Sequence, residues 1–414
     1  MAEQARRPSP DELDRIVNRG VAEIIPRQEF IDRLNDGRAL RLKMGFDPSA
    51  PDLHLGHVVG LRKLRQLQEL GHTVVVIVGD WTARIGDPSG RSETRPMLSA
   101  EQVAENAETY MRQFFSVVDR GRAEVRYQSE WFDEFTLATI MRLSAEFTVN
   151  QFLHRDDFGT RYAAGNPIGV VELLYPLLQA YDSVAIEADV EFGGTDQRFN
   201  LLVGRDLQEK RGQRAQDVFL VPILPGTDGV RRMGKSLGNY IALEDTPDDT
   251  FGKVLSLPDD VVPLYYELLT DVPDAEVGDI RSAFAGRERG LMDIKKRLGY
   301  ELVAAFHGAD AGGAAQAEFE RVVQRREEPS DVPELAITAN TDGVQSVDGE
   351  TFTVDLSRWL AAVGLASSRG EARRLVAQSA VEIGDERAAG EQAQVAFGTV
   401  IRVGKRKFVR VVRG

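Results

Sequence analysis

The amino-acid sequence predicts an α/β protein: a Rossmann-like doubly wound parallel sheet, then a helical domain, then a small α+β domain. Three observations carry this. Strand, helix and strand follow one another between residues 41 and 78, a βαβ unit that demands a right-handed crossover. From about Thr246 to Arg326 the pattern turns mainly helical. Charge also divides unevenly: residues 351–414 hold 11 Lys/Arg against 6 Asp/Glu, a net +5, and the other 350 residues carry −19.

Residues 1–38 read as a polar, helical lead-in. The first strand is predicted at 41–46, followed by a loop over 47–52. Apolar residues at 55, 58, 59, 61, 64, 67 and 70 then keep a helical period that Gly71 stops. The Val/Ile run at 73–78 suits a strand buried on both faces. Ser99 with Gln102 forms a capping box opening a helix to about Val118. Further elements are a short strand at 125–128, a helix over 170–182, and an apolar strand at 218–224 that ends in a glycine-rich loop. Acidic residues and turn formers make 327–350 read as a linker. From Phe352 the tail reads as a helix, a second, basic helix, and short strands with Gly turns. The predicted domains are therefore 1–245, 246–326 and 351–414, with the linker before the last.

Of the 414 residues, 42% are hydrophobic and 28% charged, which excludes disorder for most of the chain. With Cys at 0, disulfides, thiolate zinc sites and cysteine nucleophiles are excluded. The longest tight apolar run, 74–78, is too short to span a bilayer, and the first residues lack a signal-peptide pattern. A soluble cytoplasmic protein is the expectation. The net charge of −14 speaks against nucleic acid, whereas the basic tail suggests an enzyme body with a polyanion-binding appendage. A chance fluctuation in a short tail accounts for the asymmetry equally well.

Five segments hold residues suited to chemistry. In His54-Leu55-Gly56-His57, two imidazoles three residues apart share one side of a first helical turn. The amides there are unpaired in an isolated helix, so a phosphate suits the site; a metal pair or two solvent-facing histidines are the alternatives. Arg232-Met233-Gly234-Lys235-Ser236 follows the 218–224 strand. From Gly229 it satisfies the P-loop pattern, but Leu237-Gly238-Asn239 is a poor helix start, so a mobile basic loop bringing Arg232 and Lys235 onto a phosphoryl group reads better. Gly86-Asp87-Pro88-Ser89-Gly90-Arg91, with Arg95, is a loop offering cations to a polyphosphate and Asp87 to an ammonium, or Asp87 simply caps a turn. Tyr175, Gln179 and Asp182 share a helical face, where they meet a small polar ligand or an internal hydrogen-bond network. Gly193-Gly194-Thr195-Asp196-Gln197 allows close backbone approach and offers an acid and an amide to a ribose or carbonyl, or is a plain strand-to-helix turn.

Together these residues resemble the class I aminoacyl-tRNA synthetases. HLGH at 54–57 looks like that class's HIGH signature, and RMGKS at 232–236 like its KMSKS loop. The segments GFDPSAPDLHLGH, IGDPSGR, LLYPLLQAYD and GGTDQRFN resemble the tyrosyl branch. The tail, with LSRWLAAVGLASSRGEARRLVAQSAVEIGDE and GTVIRVGKRKF, is similar to the small RNA-binding fold that ends bacterial members of that branch.

The resemblance implies ATP and L-tyrosine as substrates, Mg²⁺ accompanying ATP, no zinc, a tRNA(Tyr) partner and a homodimer. It implies that Asp182 accepts the phenolic hydroxyl and that Asp87, Tyr175 and Gln179 hold the ammonium. Asp196 and Gln197 would contact the ribose and the tyrosyl carboxylate. Asp47, Ser49, Gly56, His54, His57 and Ser236 would line the ATP site, and Arg91, Arg95, Arg232 and Lys235 would grip the departing pyrophosphate. Arg369, Arg373, Arg374, Lys405, Arg406 and Lys407 are the implied RNA contacts. Three positions depart from the pattern: Lys43 where many relatives carry Tyr, Arg232 for the loop's first Lys, and Gly234 for its central Ser. The first leaves open what else meets the phenol besides Asp182. A tryptophanyl enzyme, a P-loop ATPase and an RNA-binding protein without catalysis are the rivals. Asp182 and the basic tail speak against the first, and the poor helix start after Ser236 against the second. The retention of His54, His57, Lys235 and Asp182 together speaks against the third.

Overall fold

A computed structural model describes residues 4–48, 52–87, 99–153, 156–325, 332–384, 386–404 and 407–414. Ser49, Arg91, Arg95, Lys405 and Arg406 lie outside the described residues. Two compact units emerge, 1–312 and 313–414.

The first unit is built on a six-stranded sheet of β1 (Glu23–Ile25), β2 (Arg41–Phe46), β3 (Thr73–Val78), β4 (Ala123–Tyr127), β5 (Val190–Gly194) and β6 (Asp217–Val221), in the order β1-β6-β5-β2-β3-β4. Strands β2 to β6 are mutually parallel, and the apolar runs of β2, β3, β5 and β6 are buried, as a sheet covered on both faces requires, while the edge strand β4 is only half-buried. The chain runs from β2 outward to β3 and β4, then returns to place β5 and β6 on the other side. The order therefore reverses between β2 and β5. In such sheets ligands bind beyond the carboxyl ends of the strands at this reversal.

Helix Leu55–Glu69 follows β2, with Val58, Leu61 and Leu64 buried as their spacing predicted. Helix Ala100–Phe114 is capped by Ser99 and Gln102 as expected, and ends four residues before Val118. The lead-in differs from expectation. Besides helices Pro10–Asn18 and Arg27–Asp36 it contains β1, an antiparallel edge strand on β6, too short to show a period.

The predicted boundary at 245 does not separate two cores. Val254, Val262, Tyr265, Leu298 and Leu302 from the helices after residue 246 share one apolar cluster with Val58, Leu61 and Leu64. Arg19 adds a polar clamp, donating to the carbonyls of Tyr266, Glu267, Thr270 and Val272 at the end of helix Val262–Leu269. Glu267 lies in the last turn, where carbonyls lack helical partners, and Thr270 and Val272 lie just beyond it, so Arg19 ties down the end of the helix.

In the second unit, the reading of 327–350 as a linker is corrected. Its residues supply β7 (Glu334–Ile337) and β8 (Val344–Asp348). The remaining strands are β9 (Thr351–Asp355), β10 (Val381–Ile383), β11 (Glu386–Arg387), β12 (Gln392–Ala396), β13 (Val400–Val403) and β14 (Lys407–Arg413). β7 joins β14 in a sheet ordered β11-β10-β13-β14-β7, and β8 pairs with β9 in a second sheet, β12-β9-β8. Leu335, Ile337, Val344 and Val347 supply the apolar side chains that the acidic, turn-rich composition hid, and they pack on a core around Phe352, Trp359, Leu360 and Ile401. Helices Leu356–Ala362 and Arg369–Ala377 complete the unit, matching the predicted helix pair.

Candidate functional site

The reversal point collects residues from distant parts of the chain. Asp47 leaves the end of β2, and Gly193 to Gln197 leave the end of β5. Asp47 accepts from Thr82 Oγ1 at 2.6 Å and from the Tyr175 hydroxyl at 2.8 Å. Gly79 makes room for this carboxylate, since a Cβ there would collide with Asp47 Oδ1 and Thr82 Oγ1. Gln197 Nε2 donates to Asp87 Oδ2 at 2.6 Å, so the acid from one segment and the amide from another meet.

His54 caps helix Leu55–Glu69 in extended backbone. Its Nδ1 accepts from the Gly56 amide at 3.2 Å, and its own amide donates to His57 Nδ1 at 3.1 Å. The rings lie 4.0 Å apart between centroids. With each Nδ1 accepting, each neutral ring carries its proton on Nε2 and presents that N–H as a donor. Burial, with the neighbouring His57, Lys235 and Arg232, pushes His54 down to about 2; burial and Lys235 push His57 down to about 4. Both are neutral at pH 7. The helix amides are not the anion donors that the sequence suggested. Leu55 N–H donates to Ile241 O at 3.0 Å and His57 N–H to His54 O at 2.8 Å, so the donors left for a phosphate are side chains.

The segment after β6 is more tightly held than its glycines implied. Met233 N–H donates to Leu224 O, and Gly234 N–H to Asn239 Oδ1, both at 2.9 Å. Buried Asn239 in turn donates to Asp228 Oδ2 at 3.0 Å and Arg232 O at 3.1 Å. A 3-10 turn spans Lys235–Leu237 and closes at left-handed Gly238. No α-helix starts at Ser236, in keeping with the poor helix start that spoke against a P-loop; Ser236 itself is exposed in that turn. Arg232 pairs with Asp196 at 3.2 Å. Lys235 Nζ lies 3.4 Å from the Tyr110 hydroxyl, and burial pulls its ammonium down to about 8, still mostly protonated at pH 7.

Helix Val170–Ala185 carries Tyr175, Gln179 and Asp182 on one face, as their offsets predicted. Asp182 is buried, accepting from Gln128 Nε2 at 2.8 Å and Trp131 Nε1 at 3.2 Å, and burial raises it to about 7. Gln179 has a partner that the sequence did not suggest: its Nε2 donates to Glu191 Oε1 at 3.1 Å. Lys43 belongs to the same group. Its ammonium meets Glu191 Oε1 at 2.9 Å, Gln179 O at 2.8 Å and Ser183 Oγ at 2.7 Å. Three acceptors use its three donors, so Lys43 has none left for a phenol. Gln128, Trp131, Thr82, Tyr110, Glu191 and Asn239 were missed in the sequence. Only Gln128 had a usable signal, as the residue just past the carboxyl end of β4.

In the second unit Arg369, Arg373, Arg374 and Lys407 are exposed. Arg369 lies 3.5 Å from Asp342 and Arg373 3.4 Å from Glu391, while Lys407 Nζ donates to Leu365 O at 2.8 Å.

Residues 35–324 match the class I tRNA synthetases (W and Y). A protein of Dehalococcoides mccartyi strain CBDB1 named tyrosine–tRNA ligase is 54% identical over 404 residues, 98% of this chain and 99% of that one. The protein of that name from Thermotoga maritima is 47% identical, covering 98% of each. The chain belongs to the tyrosine–tRNA ligases of class I. Among solved structures, the C-terminally truncated mitochondrial tyrosyl-tRNA synthetase of Aspergillus nidulans aligns with a TM-score of 0.63, at 21% identity, over 75% of this chain and 94% of that one. The tyrosyl-tRNA synthetase of Archaeoglobus fulgidus complexed with L-tyrosine aligns at 0.59 and 21% identity, over 74% and 99%. These two likenesses concern the fold alone. The family match spans both signatures, and the second unit lies within the length shared with the bacterial ligases.

Proposed function

We propose that this tyrosine–tRNA ligase activates L-tyrosine with ATP at the β2/β5 reversal and then transfers it to the 3′ end of tRNA(Tyr). One observation carries the reading. A buried carboxylate fit to receive a phenol, Asp182, shares a helical face with Tyr175, which bonds Asp47 at the end of β2, and the helix that follows β2 begins at the imidazole donors His54 and His57. In the first step a tyrosine carboxylate oxygen attacks the α-phosphorus, the bond to the β-phosphate bridge breaks, and pyrophosphate leaves with that electron pair. In the second, a ribose hydroxyl of the tRNA end attacks the carbonyl and AMP departs.

In the first step the nucleophile is already anionic, so no general base is needed there; in the second the proton of the attacking hydroxyl passes to the phosphate of the departing AMP. Positioning and charge stabilisation carry the chemistry. The Nε2–H groups of His54 and His57 donate to phosphate oxygens, and Lys235 and Arg232 meet charge growing on the leaving group, joined by Arg91 and Arg95. Asp87, Tyr175 and Gln179 form the ammonium end of the amino-acid pocket. Asp196 and Gln197 serve the ribose and the tyrosyl carboxylate, and Asp47, Ser49, Gly56 and Ser236 line the nucleotide. Mg²⁺ comes with ATP as part of the substrate; among the described residues no three His, Asp or Glu side chains converge on a resident metal.

Exposed Arg369, Arg373, Arg374 and Lys407, with Lys405 and Arg406, make the second unit the RNA-binding module, through phosphate contacts. A homodimer is supported by Leu137 and Met141, exposed apolar side chains one turn apart on helix Leu137–Ser144, with Val149, Tyr162 and Val170 also exposed. The cytoplasm is the compartment that holds the tRNA substrate. Among the described residues no helix is long and apolar enough to cross a membrane. The test is amino-acid-dependent ATP–pyrophosphate exchange over twenty amino acids, followed by transfer of labelled amino acid to tRNA. Exchange with tyrosine alone and tRNA-dependent transfer support the reading; exchange with tryptophan overturns the pocket assignment.

A further inference from the structure

Beneath the amino-acid pocket, β2 and β5 face helix Val170–Ala185 through two charged side chains that the reaction itself does not use. Lys43 and Glu191 are 0% and 1% exposed, and pair at 2.9 Å. Around them every partner is accounted for. The Lys43 ammonium donates to Gln179 O and Ser183 Oγ. The Glu191 carboxylate accepts from Gln179 Nε2, from Ser183 Oγ at 3.2 Å and from Gln216 Nε2 at 2.5 Å. The pair thus grips the helix at 179 and 183, the stretch that carries Asp182 between them. A buried pair of this kind adds little stability over an apolar packing of equal volume. Its retention calls for another explanation, and its neighbours supply one.

We infer that the Lys43–Glu191 pair is a positioning device for substrate selection: it fixes the 179–183 stretch and sets the charge balance at Asp182. Lys43, standing where many relatives carry Tyr, acts through Asp182 and not on the phenol. The inference rests on the reading of Asp182 as the hydroxyl acceptor. The charged and titratable groups facing Asp182 are Lys43 from β2, Glu191 from β5 and Tyr175 on its own helix, with Gln128 and Trp131 as neutral donors. Burial raises Asp182, Lys43 opposes that rise, and Glu191 adds to it.

The two partners carry opposite charges and act on Asp182 in opposite directions, so variants that remove one or both move its titration in predictable and different ways. The ionised carboxylate is the stronger acceptor for the phenolic hydrogen, so tyrosine affinity falls as pH drops through the Asp182 pKa. Removing the Glu191 charge lowers that pKa and moves the fall to lower pH. Removing Lys43 as well moves it back up.

The experiment measures equilibrium binding of tyrosine and phenylalanine to the full chain between about pH 5.5 and 8.5, for wild type, E191Q and K43M/E191Q, with ATP binding as a control. The expected result is an acid-side fall in E191Q displaced downward by about half a unit or more, a fall in K43M/E191Q displaced upward from that of E191Q, and about tenfold loss of tyrosine-over-phenylalanine preference in the double variant at pH 7. Falls that stay put, or that move the same way in both, overturn the inference. E191Q keeps every heavy atom and carries the test alone if the double variant does not fold. D182N separates the two layers. If it keeps full preference for tyrosine, the Asp182 reading fails and this inference with it; if it loses preference while E191Q does not move the fall, only this inference fails.

Discussion

The amide of Leu55 donates to the carbonyl of Ile241 at 3.0 Å, tying the first turn of the HLGH helix to the chain just beyond RMGKS. Leu243 N–H returns a bond to Leu53 O at 3.1 Å. This short antiparallel contact brings together segments about 180 residues apart in sequence. It also uses a helix amide that would otherwise be open to a phosphate. On the proposed reading, ATP is met by side chains, with Lys235 the principal cation.

Replacing Lys235 with Ala should cut the rate of adenylate formation by about 100-fold or more and leave tyrosine affinity within about threefold, because its contact grows with charge in the transition state. Pre-steady-state formation of enzyme-bound tyrosyl-adenylate, set beside equilibrium tyrosine binding, checks this. Equal losses in both would remove the role.

His54 and His57 should stay neutral throughout the physiological range. Burial depresses both, to about 2 and about 4. A group with a depressed pKa binds protons more readily in the unfolded chain. Stability is therefore intact above about 6.5 and is lost as pH falls toward those values. Imidazole resonances followed by NMR should show no titration of either ring above about pH 5. A midpoint near 6.5 for either would contradict the buried, acceptor-Nδ1 arrangement.

Asp182 should carry the opposite linkage. Its folded pKa is raised to about 7, chiefly by burial. The carboxyl favours the fold while protonated, and that contribution disappears as pH rises through about 7. Asp182→Asn cannot ionise, so its stability relative to wild type should improve by roughly 1–2 kcal/mol between pH 5 and pH 8, even though Gln128 or Trp131 loses an acceptor. Denaturant melts at the two pH values test this, and a difference independent of pH would argue against a strained carboxylate.

Met141→Asp and Leu137→Asp place charge in the exposed apolar patch and should convert a dimer to monomer, with little change in the melting of the monomer. Sedimentation decides the point. A monomeric wild-type chain, or a dimer unaffected by both changes, would remove this surface from the interface.

The sequence made much of this legible for definite reasons. The β2-helix-β3 unit was readable because Leu55, Val58, Val59, Leu61, Leu64 and Leu67 keep one period and Val74 to Val78 another. Tyr175, Gln179 and Asp182 could be placed on one face because helical offsets are local. Partners set by tertiary structure were not readable. Nothing near Gln179 in sequence announces Glu191, and nothing near Asp182 announces Gln128 or Trp131, since these meet only when separate strands are laid side by side. The strands at 334–337 and 344–348 were hidden by an acidic, turn-rich setting whose few apolar residues nonetheless bury. Looseness of the RMGKS loop was read from its glycines, whereas Asn239, just past it, supplies the restraint.

The central claim is that a buried Asp182 at the strand reversal chooses tyrosine for activation. The most direct measurement is ATP–pyrophosphate exchange with tyrosine and with phenylalanine, at pH 8 and without tRNA, in wild type and Asp182→Asn. An unmet buried partner costs about 1–3 kcal/mol and more where it is charged, so wild type should favour tyrosine by about 5- to 150-fold or more, and the variant should lose most of that margin. A variant that kept the full preference, or a wild type that exchanged equally with both amino acids, would contradict the account.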